Sequence, residues 1–366
     1  MSKLLKVGVI GVGSLGQHHA RNYANMKDVQ LVAIVDMNLE QARKVAEKLV
    51  AARESKVGKK NFFFVILNSF QNLFSRKASV LTGEKILKQV QDDKENGSKF
   101  EIFSDYRELV GKVDAVSISS PTPLHYEIAK FFLENKIHCL VEKPITTTLE
   151  QADELIEIAA KNDLVLQVGH IERFNPAIIE LQKFIQHPRY IDINRLGPYS
   201  TRVSHVGVVL DLMVHDLDMV LFLTNSEVET VDAIGTRVIS EHEDIANVRL
   251  KFKNGCVANI SASRVSLEKF RKIRIFQTDS YISLDYENQS FKLYKKKENV
   301  AKIEKLTDID INRFAAKKNE PLHLELLDFV DCVINHKQPK VDGIHGRNAL
   351  KLALDVITKI NEGLNE

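Results

Sequence analysis

The chain has 366 residues, with 51 Lys and Arg against 49 Asp and Glu and a formal net charge of +2. This balance predicts no basic face for nucleic acid, and the length suggests two domains. The three cysteines fit neither a disulfide framework nor a zinc spacing. No apolar run resembles a signal peptide or a membrane span, so we expect a cytoplasmic protein.

The first predicted strand, KVGVI at 6–10, runs into the loop GVGSLG and then into a helix. A second predicted strand at 29–36 ends in an acidic residue, 20 residues after the last glycine of the loop. Strand, glycine loop, helix and acid in this order are typical of a dinucleotide-binding βαβ unit. The predicted cofactor contacts in this unit are Gly11, Gly13, Ser14, Leu15, Gly16 and Asp36.

Each of the three glycines has a separate expected role. Gly11 would permit the tight turn, Gly13 would let the backbone approach a pyrophosphate, and Gly16 would let the helix pack closely on the strand. Asp36 would bind a ribose diol and repel a 2′-phosphate, which favours NAD over NADP. The alternative is a glycine turn that binds nothing.

Strands and helices continue to alternate up to about residue 170, which predicts a parallel, doubly wound sheet. Ligands of such sheets lie beyond the carboxyl ends of the strands, where SSPTP, EKP and GHIERFNP stand. After about residue 176 the pattern changes to recurring strand-like runs, and KNGC predicts a hairpin turn. We therefore predict an α/β protein: a Rossmann domain over 1–145 and an α+β domain with a large, mostly antiparallel sheet over 146–366.

The stretch from about 51 to 98 interrupts the alternation of the first domain. It occupies a helix-to-strand connection, where a few residues would suffice. It could be an interaction hairpin or an insert without a role, since long surface insertions cost little loop-closure entropy.

The segment VLDLMVHDLDMVLF at 209–222 is mostly apolar yet carries four ionisable residues. On a helix, Leu210, Met213, Val214, Leu217 and Leu221 would share a core face. Asp211, His215 and Asp218 would form a second stripe, with Asp211 able to orient His215. The stripe could be a proton-transfer site, a structural core histidine with its neighbours, or a zinc or manganese site.

The segments VGVIGVGSLGQHHARNY, SPTPLHYEIA, VEKPIT, VGHIERFNPA and DLMVHDLD resemble the Gfo/Idh/MocA family of NAD(P)-dependent sugar oxidoreductases. This resemblance implies that the open sheet forms a homo-oligomer interface, in a dimer or tetramer, and that no metal ion is needed. It implies catalytic roles for Lys143, Asp211 and His215, with His215 or Lys143 as the base. Further cofactor contacts implied by it are Ser120, Thr122, His125, Glu142 and Lys143.

Within the family, GHIERFNPA and RLGPYSTR are most similar to the subgroup that oxidises the 3-hydroxyl of UDP-N-acetylglucosamine for lipid A or surface glycans. The pyrophosphate of such a substrate needs cations, although each arginine could instead form an ordinary salt bridge. Two other functions stay open: an inositol or free-sugar dehydrogenase, and a non-catalytic NAD sensor. The predicted substrate contacts are Arg173, Asn175, Arg195, Tyr199 and Arg202.

Overall fold

The computed structural model describes residues 4–57, 100–200, 206–298, 300, 302, 304–316 and 319–364. The chain forms two compact units. The predicted insert at 51–98 lies, from residue 58 onward, outside the described residues.

The first unit contains a six-stranded sheet in the order β3-β2-β1-β4-β5-β6. The paired strands whose register is defined run parallel, and the order is that of a doubly wound dinucleotide-binding sheet. This confirms the predicted fold class of the first half. The strands are β1 (Leu5–Ile10), β2 (Val29–Val35), β3 (Glu101–Phe103), β4 (Ala115–Ile118), β5 (His138–Glu142) and β6 (Leu166–Gly169).

Four helices connect these strands within the described part of the chain: α1 (Gly16–Asn25), α2 (Leu39–Val57), α3 (His125–Glu134) and α4 (Leu149–Lys161). Thr148 caps the start of α4, because its hydroxyl accepts a hydrogen bond from the Gln151 amide at 3.4 Å. The central strands β1 and β4 are almost entirely buried. Their apolar, β-branched composition is what a strand covered on both faces requires.

The second unit contains an eight-stranded sheet in the order β14-β13-β12-β11-β7-β10-β9-β8. Only β7 and β10 pair in parallel; the other defined pairs are antiparallel, as predicted. The predicted KNGC turn joins β9 to β10, with Gly255 at φ +83°. The strands are β7 (Tyr190–Leu196), β8 (Val228–Thr236), β9 (Ile245–Phe252), β10 (Val257–Ser263), β11 (Phe270–Phe276), β12 (Ser280–Asp285), β13 (Ser290–Lys296) and β14 (Ile309–Ala315).

One face of this sheet is covered and the other is open. Burial alternates strictly along β9, and the inward residues join a core with the helices of the unit. Each fully buried Leu or Ile in that core contributes about 1.5–3 kcal/mol of transfer free energy. The remaining helices are α5 (Pro176–Leu181), α6 (Val214–Thr224), α7 (Pro321–Asn335) and α8 (Gly343–Leu364).

The division into units is discontinuous, whereas the predicted division was a single cut at 145. The first unit comprises Met1–Glu142, Glu154–Gln167 and Leu326–Pro339, and the second comprises Lys143–Asp153, Val168–Glu325 and Lys340–Glu366. Lys143 therefore belongs by its contacts to the second unit. Among the described residues, no helix is both long enough and apolar enough to cross a membrane.

Candidate active site

The glycine loop of the first unit is tightly packed at its two ends. Gly11 has φ +78°, and a Cβ added there would lie 2.7 Å from the backbone nitrogen of Ser120. A Cβ at Gly16 would lie 1.8 Å from the carbonyl oxygen of Gly11. The lack of space requires glycine at both positions, and at Gly11 the positive φ is also one that other residues rarely adopt.

The middle of the same loop is open. A Cβ at Gly13 would meet nothing within 4 Å, and the first turn of α1 has neither a side-chain cap nor an acidic residue. The buried hydroxyl of Ser120 has no hydrogen-bond partner among the residues the structure describes. A helix start that has no side-chain cap and carries the positive end of the helix dipole fits a phosphate group.

Asp36 holds the loop in place. Its Oδ2 accepts a hydrogen bond from the Val12 amide and its Oδ1 accepts one from the Asn38 amide, both at 2.9 Å. A carboxylate has about four acceptor sites, so capacity remains for two hydroxyl donors. The arrangement fits a ribose diol.

The other predicted cofactor contacts are spread around the strand ends of the first unit. His125 is buried, with Nε2 2.8 Å from the Ser120 carbonyl oxygen. Glu142 lies 3.0 Å from Nε2 of His19, a buried residue whose Nδ1 is 2.7 Å from the Ser117 hydroxyl. Sequence reasoning missed His19, since a histidine within a helix gives no sign of a partner on a distant strand. Ser14 and Leu15 are exposed, and Thr122 begins a 3-10 turn.

Lys143 follows β5 and is joined to Pro144 by a cis peptide bond. Its ammonium donates a hydrogen bond to the backbone carbonyl oxygen of Asp211 at 2.7 Å. The ammonium therefore lies at the turn that precedes His215.

The segment before His215 is not the regular α-helix that the sequence predicts. Val209–Met213 forms a π-helical turn, and α6 begins only at Val214. A π turn bonds residue i to i+5 and so shifts the faces of the helix. Nδ1 of His215 is buried and has no hydrogen-bond partner in the described part of the chain, so Asp211 does not orient His215 through this nitrogen.

The surroundings of His215 favour the neutral imidazole. Burial lowers its pKa well below the ordinary value, and the positive charges of Lys143, Arg195 and Arg271 lower it further. At neutral pH the imidazole is therefore uncharged and able to accept a proton.

Asp216 and Arg195 form a buried ion pair. Arg195 donates two hydrogen bonds to the Asp216 carboxylate at 2.7 and 2.8 Å and a third to Glu172 at 3.0 Å. Burial works against the charge of Arg195, but Asp216 and Glu172 outweigh that effect and raise its pKa. In this arrangement the guanidinium of Arg195 is bound by two carboxylates, and its predicted phosphate contact stays a prediction.

Asp218 and Arg173 form a second buried pair. Arg173 donates hydrogen bonds to Asp218 at 2.8 and 2.6 Å and stacks over Phe222, with 4.7 Å from its guanidinium carbon to the ring centroid. Asn175 is also buried; it caps α5 and donates to the Tyr286 carbonyl oxygen at 3.2 Å. Both side chains therefore have partners within the chain, and their predicted substrate roles stay predictions.

The predicted stripe of Asp211, His215 and Asp218 is thus divided: Asp218 belongs to an ion pair, while Lys143 lies at the carbonyl of Asp211. On the predicted core face, Met213, Val214 and Leu217 are buried, but Leu210 and Leu221 are only partly buried. Among the described residues, no cluster of three or more His, Cys, Asp or Glu could hold a metal ion.

The last two predicted substrate contacts follow β7. Tyr199 is half-buried, with the guanidinium carbon of Arg264 5.5 Å from its ring centroid. Arg202 lies outside the described residues.

The chain belongs to the Gfo/Idh/MocA family of oxidoreductases. Residues 5–170 match the family described as "Oxidoreductase family, NAD-binding Rossmann fold", and residues 183–283 match the "GFO/IDH/MocA C-terminal domain". The order of the two matches along the chain agrees with the two sheets described above.

The relatives include UDP-N-acetylglucosamine 3-dehydrogenase of Acidithiobacillus ferrooxidans, 33% identical over 353 residues that cover 96% of each chain. A solved structure of that enzyme matches with a TM-score of 0.79 and 32% identity, covering 98% of both chains. Myo-inositol 2-dehydrogenase of Thermotoga maritima is 25% identical over 373 residues, covering 95% of this chain and 94% of its own.

Proposed function

We propose that this protein is an NAD-dependent dehydrogenase that oxidises the 3-hydroxyl of UDP-N-acetylglucosamine to a ketone. The observation that carries the proposal is the hydrogen bond from the Lys143 ammonium to the Asp211 carbonyl, at the turn before the neutral His215. A fixed cation and an uncharged base near each other are what removal of hydride and proton from an alcohol requires.

In the proposed reaction the alcohol loses a hydride from its carbon and a proton from the attached oxygen, and a C=O bond forms between them. NAD, when bound, supplies the hydride acceptor. His215 takes the hydroxyl proton, and Lys143 stabilises the negative charge that develops on the oxygen. Lys143 as the base, with His215 as a hydrogen-bond partner, is the competing assignment.

The first unit supports the choice of cofactor. The open surface at Gly13 and the uncapped start of α1 fit a pyrophosphate. The Asp36 carboxylate would accept hydrogen bonds from the ribose diol and would repel a 2′-phosphate, which favours NAD over NADP.

The choice of substrate rests on similarity. The named activity of the Acidithiobacillus relative accompanies 33% identity across nearly the whole chain, whereas the Thermotoga inositol dehydrogenase shares 25%. Oxidation of inositol is therefore the second candidate. An aminotransferase step towards lipid A or a surface glycan would consume the 3-keto product.

The test is NADH formation across a panel of UDP-sugars, free sugars and inositols, with NAD and with NADP. We expect the highest kcat/KM with UDP-N-acetylglucosamine and NAD. Removing a preorganised oxyanion donor typically costs about 10²–10³ in kcat. We therefore expect Lys143→Ala to lose turnover to that extent while it still binds NADH. If an inositol is turned over faster than any UDP-sugar, the proposed substrate is wrong and inositol oxidation is the function.

A further inference from the structure

A cavity of about 270 Å³ in the second unit has no role in the site described so far. It adjoins the buried Arg195 network, because Glu172 both lines the cavity and binds Arg195. The lining residues that matter here are Glu172, Lys269, Arg271, Tyr286 and Glu287.

Arg271 on β11 and Tyr286, which directly follows β12, both line this cavity. Arg271 on β11 lies directly opposite Arg195 on β7, and the Tyr286 amide donates to the Arg271 carbonyl oxygen at 3.2 Å. Arg271 has the same strand parity as the buried Ile273 and Ile275, so it belongs to the covered face of the sheet at its end.

Like charges directly opposite each other destabilise a sheet unless they are compensated. Arg195 is compensated by Asp216 and Glu172. Arg271 and Lys269, both exposed, form no ion pair within the described residues. The positive charge of Arg271 is therefore available to an anionic ligand.

Tyr286, which lines the cavity, carries a hydrogen-bond donor that the described residues leave without a partner. Tyr286 is 4% exposed. Glu172 is already bound to Arg195, so Glu287 supplies the one remaining carboxylate of the cavity lining. Apart from Glu172, the lining thus holds two cations, Lys269 and Arg271, and the Tyr286 hydroxyl, and its net charge is positive. A buried hydroxyl without a partner costs free energy, which an anionic acceptor would recover.

We infer that this cavity binds the diphosphate of a nucleotide sugar, with Arg271 and Lys269 contacting the phosphate oxygens and the Tyr286 hydroxyl donating a hydrogen bond to one of them. The inference rests on the proposed function. It assigns to Arg271 and Lys269 the role that the sequence suggested for Arg173 and Arg195. Pockets for whole drug-sized ligands measure about 300–1,000 Å³, so this cavity takes only the diphosphate and the groups next to it.

Binding of a phosphate at Arg271 would also affect His215. Arg271 is one of the cations that lower the pKa of His215. A bound phosphate would offset that charge and make His215 a better base. Substrates with a diphosphate would therefore be oxidised faster than the same sugars without one.

Direct binding separates this inference from turnover. Calorimetric titration with inorganic pyrophosphate and with UDP would be carried out on the full chain and on Arg271→Ala, Lys269→Ala and Tyr286→Phe. The matched control is Arg274→Ala, on the same strand but of opposite parity, where Arg274 pairs with Asp192. We expect Kd to rise about tenfold in each cation variant, as loss of a charge-assisted hydrogen bond predicts, and to stay unchanged in the control.

Kinetics complete the test. Arg271→Ala should raise KM for UDP-N-acetylglucosamine about tenfold, and Arg274→Ala should leave that KM unchanged. If Arg271→Ala fails to fold, Lys269→Ala and Tyr286→Phe carry the same comparison. The inference is overturned if every variant binds pyrophosphate and UDP as tightly as the unsubstituted protein does. It is also overturned if KM for UDP-N-acetylglucosamine is unchanged in Arg271→Ala, even if UDP-sugars are oxidised. UDP binding that depends on Arg271 in a protein that oxidises no UDP-sugar supports the cavity and refutes the proposed function.

Discussion

Lys143 contacts Asp211 through the backbone carbonyl of Asp211, at a distance of 2.7 Å, and not through its carboxylate. The contact fixes the ammonium at the turn that leads into α6 and His215. Its charge is also the largest Coulombic contribution to the lowered pKa of His215. The two proposed catalytic groups are therefore coupled electrostatically.

This coupling predicts the pH dependence of turnover. Because the pKa of His215 is lowered, the acid limb of kcat/KM should lie below pH 6.5, the ordinary histidine value. Lys143→Met removes a cation that opposes protonation, so the pKa should rise and the limb should move to higher pH. Measurement of kcat/KM from pH 5 to 8 in both proteins checks this, and a limb that stays in place would contradict the coupling.

The Arg195–Asp216 pair predicts a stability effect. Arg195→Met would leave the Asp216 carboxylate buried without its main partner and should cost about 3–5 kcal/mol of unfolding free energy. Denaturant unfolding measures that cost. Arg274→Met breaks the largely exposed pair with Asp192 and should cost less than about 1 kcal/mol. If Arg195→Met keeps full stability and only raises KM, Arg195 binds substrate after all.

Gly13 and Gly16 predict opposite outcomes for the same substitution. Gly16→Ala places a methyl group 1.8 Å from a backbone oxygen and should prevent the first unit from folding normally. Gly13→Ala meets no atom within 4 Å, so the protein should melt at the same temperature but bind NADH about tenfold or more weakly. Thermal melting and NADH titration of both variants test this. Unchanged NADH affinity in Gly13→Ala would count against the proposed pyrophosphate site.

The open face of the second sheet carries a row of aromatic rings. Tyr190, Phe276, Tyr281 and Tyr294 stand on adjoining strands, with successive centroids 5.4, 4.8 and 5.1 Å apart. Aromatic residues are enriched at protein interfaces, so we propose that this row forms a homo-oligomer interface. Tyr281→Asp should lower the molar mass measured by light scattering. Leu267→Asp, in an exposed loop, should not. An unchanged mass in Tyr281→Asp would rule out this surface.

The sequence predicted the local features well because they depend on neighbouring residues. The glycine spacing, the Asn254-Gly255 turn and the alternation of strands and helices each have a local physical cause. The family resemblance added the proposed catalytic pair of Lys143 and His215, which no periodicity defines.

Features that depend on distant partners were predicted poorly. Asp216 and Asp218 carry no sign in the sequence that they pair with Arg195 and Arg173, more than 20 and 40 residues away. The π turn at Val209–Met213 changes the faces of a segment that helical periodicity treats as regular. Arg271 reaches its cavity through strand register, which short sequence patterns leave undetermined.

The chain crosses between its two units at 142/143, 153/154, 167/168, 325/326 and 339/340. A gene fragment that stops at 145 would therefore omit α4 and β6, and its sheet would end in a newly exposed strand β5. Dissection of this protein by truncation is expected to give insoluble products. Separating cofactor binding from sugar binding in the laboratory calls for point substitutions within the whole polypeptide.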